Sequence, residues 1–171
     1  MTVRERLRLA ALITTAGPAA MLGFAYFSQY VEGLMPCILC LYQRPPHFVA
    51  VALGVLALLS MDAPRSFPRV LLGLAGLALL TGGGIGVFHA GVEQHWWSGL
   101  AECGGTLAPL SEHVDVLLQG MKATKIVACD QPSWVFLGLS MAAWNALASL
   151  GLAAIALWGA LQGRLKGRFR A

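Results

Sequence analysis

Three long apolar stretches with no charge in their interiors constrain the fold of this 171-residue chain more than any other feature. They cover residues 7–27, 70–89 and 140–162, and the only charge among them is Arg8, near the edge of the first. A helix needs about 20 predominantly apolar residues to cross the ~30 Å hydrocarbon core of a bilayer. Each stretch therefore predicts a transmembrane helix.

A fourth apolar stretch, residues 47–61, is too short to span that core unless its helix begins earlier, near residues 42–44. Pro45 and Pro46 would then lie in the first turn, where a missing N–H breaks no hydrogen bond within the helix. The sequence therefore predicts a fourth span over residues 43–61.

The predicted fold is an all-α integral membrane protein, a single four-helix transmembrane bundle over residues 1–171 with outer loops at 28–42 and 90–139.

In the third span, small residues recur every four positions and predict close packing against a neighbouring helix; they are Ala78, Gly82, Gly86 and Ala90. The second outer loop has apolar residues at helical spacing, which predicts a short amphipathic helix with residues Leu110, Val114, Leu117, Leu118 and Met121 on one face. That face would rest on the membrane surface or on the bundle.

The composition excludes several classes of protein. Hydrophobic residues make up 57% of the chain and charged residues 12%, against roughly 25% charged residues in soluble domains. A water-soluble globule is therefore disfavoured, and disorder is excluded because it requires low hydrophobicity. The net charge is +4, but the basic residues are sparse and gathered at the two ends of the chain, so no nucleic-acid surface is predicted.

Charge is distributed unequally between the two sides of the predicted bundle. The side with both termini and loop 62–69 carries nine Lys and Arg residues and two acids, whereas the other side carries three basic residues and six acids. The positive-inside rule then places both termini in the cytoplasm and all four cysteines on the opposite side. The first apolar stretch continues to Tyr30, which favours an uncleaved anchor over a signal peptide cleaved near Ala20.

The four cysteines, Cys37, Cys40, Cys103 and Cys129, lie on the side where disulfides form and persist. Three pairings are possible, and the C-x-x-C motif makes Cys37 with Cys40 and Cys103 with Cys129 the simplest. A bridge across so short a ring adds little stability, whereas a C-x-x-C favours redox exchange. Four-cysteine zinc binding is disfavoured because the sequence has no second C-x-x-C, and no metal is predicted.

Two ionisable residues adjoin the predicted outer boundary of the membrane. Arg44 follows Cys40 by four positions, so on a helix the two share a face and the guanidinium would stabilise a Cys40 thiolate. His89 ends the third span and is a functional candidate there, although it could equally cap the helix end; a metal shared with Glu93 is only weakly indicated. The other histidines, predicted to be interface or surface residues, are His47, His95 and His113.

These residues together resemble the family of disulfide bond formation protein B (DsbB), which are membrane thiol oxidoreductases. The resemblance covers nearly the whole chain and is strongest in five segments: 36–44 (PCILCLYQR), 89–93 (HAGVE) with Trp96 and Trp97, Cys103, 129–130 (CD), and 134–145. Some family members have an acid where Gln43 stands, a departure that leaves the assignment intact.

The resemblance implies an activity as well as a fold. A protein of this family reoxidises a periplasmic thioredoxin-like dithiol oxidase, DsbA, by disulfide exchange and passes the electrons to a membrane quinone, either ubiquinone or menaquinone. It thereby supports disulfide bond formation in exported proteins. The resemblance also implies a bacterial inner-membrane location, with the cysteine loops in the periplasm.

The resemblance further implies roles for individual residues. Cys103 would form the mixed disulfide with the partner protein, and Cys129 would be its companion. The Cys37–Cys40 pair would receive the electrons. Cys40 would then face the quinone, and the two residues near the quinone ring would be Arg44 and His89.

Two alternatives remain at this point. The first is a four-span scaffold whose outer loops are held by structural disulfides, which gives no reason for an arginine after the C-x-x-C. The second is an enzyme that resembles vitamin K epoxide reductase, a family that also combines four spans with two cysteine pairs. In that family the loop pair precedes the C-x-x-C, whereas here the order is reversed.

Overall fold

The computed structural model describes residues 1–100, Cys103 and residues 128–162. Within them the chain forms four helices and a two-stranded antiparallel hairpin that precedes the last helix. In chain order the elements are α1 (Val3–Tyr30), α2 (Ile38–Leu59), α3 (Ser66–Glu93), β1 (Val135–Phe136), β2 (Leu139–Ser140) and α4 (Met141–Leu161). This architecture confirms the predicted all-α membrane class. The amphipathic helix predicted within residues 110–121 lies outside the described residues.

Three helices of the described segments, α1, α3 and α4, are long and apolar enough to cross a membrane. The chain is therefore a multi-pass membrane protein. α2 has 22 residues, which at 1.5 Å per residue gives about 33 Å and is long enough to span. Its first half contains Gln43, Arg44 and His47, and α2 is accordingly not among the helices that are apolar enough by composition to cross. That α2 also crosses the membrane stays a prediction.

α2 begins at Ile38, so the predicted start near residues 42–44 is wrong. Cys37 caps the helix, because its Sγ accepts a hydrogen bond from the backbone N–H of Cys40 at 3.3 Å. A thiol is not among the usual N-cap groups, and the pattern of apolar residues therefore fails to locate this start. Pro45 and Pro46 consequently lie inside the helix, where each removes one backbone donor.

Small residues allow α3 to pack closely against both α2 and α4. A Cβ added at Gly82 would meet the ring of His47 at 3.2 Å, and one added at Gly86 would meet the backbone of Ala146 at 3.1 Å. Glycine at these positions leaves space for a ring on one side and for a helix backbone on the other. The close helix contact predicted for the third span is confirmed.

The interior of the bundle is built largely from alanines, and most large apolar side chains face outward. The alanines with 0% exposure lie on all four helices: Ala10, Ala11, Ala50, Ala57, Ala75, Ala153 and Ala156. Exposed leucines are as widely spread, and they include Leu12, Leu56, Leu77 and Leu147. Lipid is as apolar as leucine, so helices in a membrane gain from close backbone packing rather than from burying large side chains.

The hairpin between β1 and β2 turns at Leu137 and Gly138, whose φ angles are 51° and 78°. Positive φ at both central residues is typical of the two-residue turns whose twist suits antiparallel strands. The Trp144 indole N–H donates to the carbonyl of Phe136 at 3.0 Å, and Ser140 caps α4 with a 3.1 Å hydrogen bond. The hairpin is thus fixed to the first turn of α4.

Candidate functional site

Both pairs of cysteines lie in one buried cluster, where they pack together with Val92. Cys103 and Cys129 form a disulfide with their Cα atoms 5.1 Å apart. Cys37 and Cys40 are thiols, and their Sγ atoms are 3.0 Å apart. The structure therefore contains one of the two disulfides of the simplest pairing, Cys103–Cys129, whereas Cys37 and Cys40 are adjacent thiols at the start of α2.

Cys37 is favoured as a thiolate because it precedes the first residue of α2 and caps that helix. Its Sγ accepts the backbone N–H of Cys40 at 3.3 Å and lies 3.5 Å from Nε2 of His89. The hydrogen bond with the Cys40 thiol, together with His89, outweighs the opposing effect of burial and lowers the pKa of the Cys37 thiol to about 4. A lowered thiol pKa is typical of the reactive cysteine in a C-x-x-C motif.

The His89 ring, near the end of α3, contacts three side chains. Nε2 lies 3.5 Å from Cys37 Sγ and 3.7 Å from Glu93 Oε1. Nδ1 accepts a hydrogen bond from Nε2 of Gln43 at 3.0 Å. Because Nδ1 accepts, a neutral ring carries its proton on Nε2, which is the nitrogen that faces Cys37.

Two amide side chains hold this ring in place. Asn145 donates from Nδ2 to Oε1 of Gln43, so hydrogen bonds run from α4 through α2 to His89 on α3. Gln43 is only 7% exposed. Reasoning from the sequence missed both amides as site residues. The signal that could have found them is a polar side chain in an apolar helix, which needs a partner when it is buried.

A cavity of about 380 Å³ borders Cys40, between α1, α2, α4 and the segment that leads into β1. Its walls are mainly apolar and include Met21, Phe24, Met35, Trp134 and Trp144. The polar side chains on it are few, among them Gln43, Arg44 and Asn145. A mainly apolar pocket with a few placed polar groups is typical of a small-molecule site.

Arg44 borders this cavity, and its guanidinium Cζ lies 4.7 Å from the centre of the Tyr26 ring. The Nε atom of Arg44 is buried without a hydrogen-bond partner. His89, by contrast, is not among the residues that line the cavity and contacts Cys37 instead. The stabilisation of a Cys40 thiolate by Arg44 stays a prediction.

The prediction that His47 is an interface or surface residue is wrong, because its side chain is only 2% exposed. Its Nδ1 donates to the carbonyl of Gln43 at 2.6 Å, and its Nε2 accepts from the Ser149 hydroxyl at 3.1 Å. The earlier start of α2 places the ring inside the bundle, where Gly82 leaves room for it. His95 is exposed as predicted, and His113 lies outside the described residues.

Three of the described helices are long and apolar enough to cross a membrane, and within the bundle the Cys37 and Cys40 thiols pack against the Cys103–Cys129 disulfide beside an apolar cavity. These features define a membrane protein suited to thiol–disulfide chemistry. The family model described as disulfide bond formation protein DsbB matches residues 7–159. The chain belongs to the DsbB family. This finding confirms the resemblance and sets aside the likeness to vitamin K epoxide reductase. No solved structure matches the chain.

Individual relatives agree with the family match. The protein named disulfide bond formation protein B from Aromatoleum aromaticum is 34% identical over 147 residues, which cover 80% of this chain and 81% of that protein. The like-named protein of Methylococcus capsulatus is 34% identical over 151 residues, covering 81% and 85%. That of Saccharophagus degradans is 31% identical over 163 residues, covering 91% and 93%.

Proposed function

We propose that this protein reoxidises a periplasmic thioredoxin-like dithiol protein of the DsbA type and passes two electrons to a membrane quinone, ubiquinone or menaquinone. The observation that carries the proposal is the contact between the two cysteine pairs in one buried cluster, with Cys40 also bordering an apolar cavity. Membership of the DsbB family supports a role in disulfide bond formation.

The first exchange takes place at the Cys103–Cys129 disulfide. A thiolate of the partner attacks Cys103, forms a mixed disulfide with it and displaces Cys129 as a thiolate. The second thiol of the partner then attacks its own sulfur in the mixed disulfide, so that the partner leaves oxidised and Cys103 leaves as a thiolate. In the other possible order, Cys129 attacks the next disulfide before the mixed disulfide resolves. Either order moves two electrons and two protons to this chain.

The second exchange passes those electrons to Cys37 and Cys40. Cys129 packs in the same cluster as Cys37, so its thiolate needs only a short movement to attack that sulfur when the C-x-x-C is a disulfide. The attack displaces Cys40 as a thiolate at the border of the cavity. Cys103 then attacks Cys129, which re-forms the loop disulfide and releases Cys37. The dithiol at Cys37 and Cys40 is the state that carries the electrons after this step.

A quinone would supply the terminal acceptor, which takes up two electrons and two protons while the Cys37–Cys40 disulfide re-forms. The cavity fits such a ring, because it is mainly apolar and the unpartnered Nε of Arg44 is available to a carbonyl oxygen. Cys40 and Arg44 would hold the ring between them. His89 would exchange a proton with Cys37 through Nε2, which lies 3.5 Å from that sulfur.

We further propose a bacterial inner-membrane location, with both termini in the cytoplasm and the cysteine loops in the periplasm. Basic residues gather at the end of the bundle where α1 and α3 begin, and they are Arg4, Arg6, Arg8, Arg65 and Arg69. Arg4 pairs there with Asp62, which follows α2. An excess of basic residues marks the cytoplasmic end of membrane helices.

The test is anaerobic turnover of the purified protein with a reduced DsbA-type protein and a soluble quinone, followed by quinone absorbance. Cys37→Ser or Cys40→Ser should abolish quinone reduction. Cys103→Ser with Cys129→Ser should abolish turnover with the protein substrate, yet a small dithiol that reaches Cys37–Cys40 directly should still reduce the quinone. Undiminished turnover of the protein substrate in any of these variants would overturn the relay.

A further inference from the structure

We infer a second property of the same cluster: when Cys37 and Cys40 are thiols, they and His89 form a binding site for a thiophilic divalent cation such as Zn²⁺ or Cd²⁺. The two Sγ atoms and a ring nitrogen of His89 all lie within 4.8 Å of one another. Thiolate and imidazole are the ligands that these ions prefer. This set differs from the four-cysteine site that the sequence disfavours, because the other two cysteines form a disulfide.

The distances suit one ion. In a tetrahedral site with Zn–S of about 2.3 Å and Zn–N of about 2.0 Å, a sulfur and a nitrogen ligand lie about 3.5 Å apart and two sulfurs about 3.8 Å apart. Cys37 Sγ and His89 Nε2 are 3.5 Å apart. The two Sγ atoms are 3.0 Å apart, so they need to separate by about 0.8 Å to share the ion.

Glu93 lies outside the 4.8 Å group and would become the fourth ligand by a movement of its side chain toward the ion. Its Oε1 lies 3.7 Å from Nε2 of His89, one helical turn earlier on α3, and its side chain is 5% exposed. Its other oxygen, Oε2, is buried without a hydrogen-bond partner. A buried carboxylate oxygen without a partner is costly, and a cation is the partner that it fits best.

Charge and hydrogen bonding both accommodate the ion. Cys37 is already favoured as a thiolate, so binding releases the proton of the Cys40 thiol to solvent, and the two thiolates together cancel the charge of the metal. Coordination through Nε2 moves the ring proton of His89 to Nδ1, which then faces Gln43. A half-turn of the Gln43 amide presents Oε1 to that N–H, and Asn145 can turn in the same way. A hydrogen bond from the second ring nitrogen is the usual support of a metal-bound histidine.

The site depends on the redox state of the protein. Oxidation of Cys37 and Cys40 to a disulfide removes both thiolate ligands, so the oxidised protein should not bind the ion. If the proposed function holds, a bound ion also halts turnover, because it occupies the dithiol that must be oxidised. Binding itself requires neither a quinone nor a partner protein, and its failure is therefore distinguishable from failure of the proposed function.

The experiment is a Cd²⁺ titration of the reduced Cys103→Ser, Cys129→Ser protein in detergent, followed by the ultraviolet charge-transfer absorbance of the S–Cd bond. We expect one Cd²⁺ per chain and no binding after oxidation of the remaining pair. His89→Ala and Glu93→Gln should each weaken binding at least about tenfold.

The matched controls are His95→Asn and Glu32→Gln at exposed positions, and they should bind as the parent does. Asparagine suits the positive φ of His95.

Unchanged affinity in His89→Ala, or no charge-transfer band at one equivalent of Cd²⁺, would overturn the proposal. A second measurement needs no substitution at His89 and guards against a variant that fails to fold. Isotope-labelled histidine and cadmium should show scalar coupling between the ion and a histidine nitrogen in the parent protein. Absence of that coupling in a saturated sample would likewise overturn the three-residue site.

Discussion

Gln43 on α2 donates a hydrogen bond to Nδ1 of His89 on α3 across 3.0 Å, and so determines which ring nitrogen faces Cys37. The same amide accepts a hydrogen bond from Asn145 on α4. One buried side chain thereby links three helices and orients the histidine next to the sulfur.

Removing this amide should destabilise the bundle. Gln43→Leu leaves Nδ1 of His89 and Nδ2 of Asn145 buried without their partner, and we expect the free energy of unfolding to fall by about 1–3 kcal/mol. Detergent-induced unfolding followed by circular dichroism would measure the change. Gln94→Leu, at an exposed position just after α3, is the matched control and should leave stability unchanged. If both variants have the same free energy of unfolding as the parent protein, the hydrogen bonds of Gln43 do not contribute to stability.

The contact between α3 and α4 should not tolerate a methyl group at Gly86. An added Cβ would meet the N, Cα and Cβ atoms of Ala146 at 3.1 Å, and a backbone cannot rotate away as a side chain can. We expect Gly86→Ala to cost about 1–3 kcal/mol through overpacking. Gly84→Ala is the control, because nothing lies within 4 Å of its added Cβ. If the two variants unfold at the same detergent concentration, the close packing is not a source of stability.

The position of Arg44 over Tyr26 should matter for use of the quinone. A cation–π contact of about 1 kcal/mol corresponds to a several-fold change in affinity, so Tyr26→Leu should raise the KM for quinone about three- to tenfold with a smaller change in kcat. Tyr26→Phe keeps the ring and should behave as the parent does. Arg44→Lys keeps the charge but loses the planar group, and it should resemble Tyr26→Leu. An unaltered KM in Tyr26→Leu would mean that the stacking does not position Arg44 for quinone.

The lowered pKa of Cys37 predicts a thiolate under acidic conditions. In a Cys40→Ser, Cys103→Ser, Cys129→Ser protein kept free of metal, the serine hydroxyl can replace the Cys40 thiol as donor to Cys37. Ultraviolet thiolate absorbance should then persist well below pH 7 and disappear only as the pH falls through the lowered pKa. His89→Ala should move the transition to higher pH. The unfolded chain, as control, should titrate near the ordinary value of about 8.5; a folded protein with the same midpoint would contradict the prediction.

The sequence was sufficient to predict the helices and the membrane class. An apolar stretch long enough to span a bilayer must form its backbone hydrogen bonds within the protein, and a helix forms them within a single segment. It also predicted the packing of Gly82 and Gly86, because small residues at four-residue spacing typically allow two membrane helices to approach each other closely. The start of α2 was missed, since a cysteine rarely serves as a helix cap.

The candidate site could be predicted only in part. The cysteines are conspicuous because of their motif and spacing, and the structure contains the Cys103–Cys129 disulfide of the simplest pairing. The hydrogen bonds from Asn145 through Gln43 to His89 could not be predicted, because Gln43 and Asn145 are 102 positions apart and meet only in the packed bundle. His47 was misplaced for the same reason, since Ser149 and Gly82, which accommodate its ring, lie on two other helices.

The loop disulfide is almost fully enclosed, with Cys103 4% exposed and Cys129 0% exposed. In the proposed relay a protein thiolate must approach one of these sulfurs along the S–S axis, yet both cysteines are buried in one cluster with Val92 and Cys37. If that relay holds, the pair has to become more exposed before it reacts, and the frequency of this opening would set an upper limit on the reaction rate. Under the same proposal, burial of both cysteines would also slow the attack of small thiols on the disulfide.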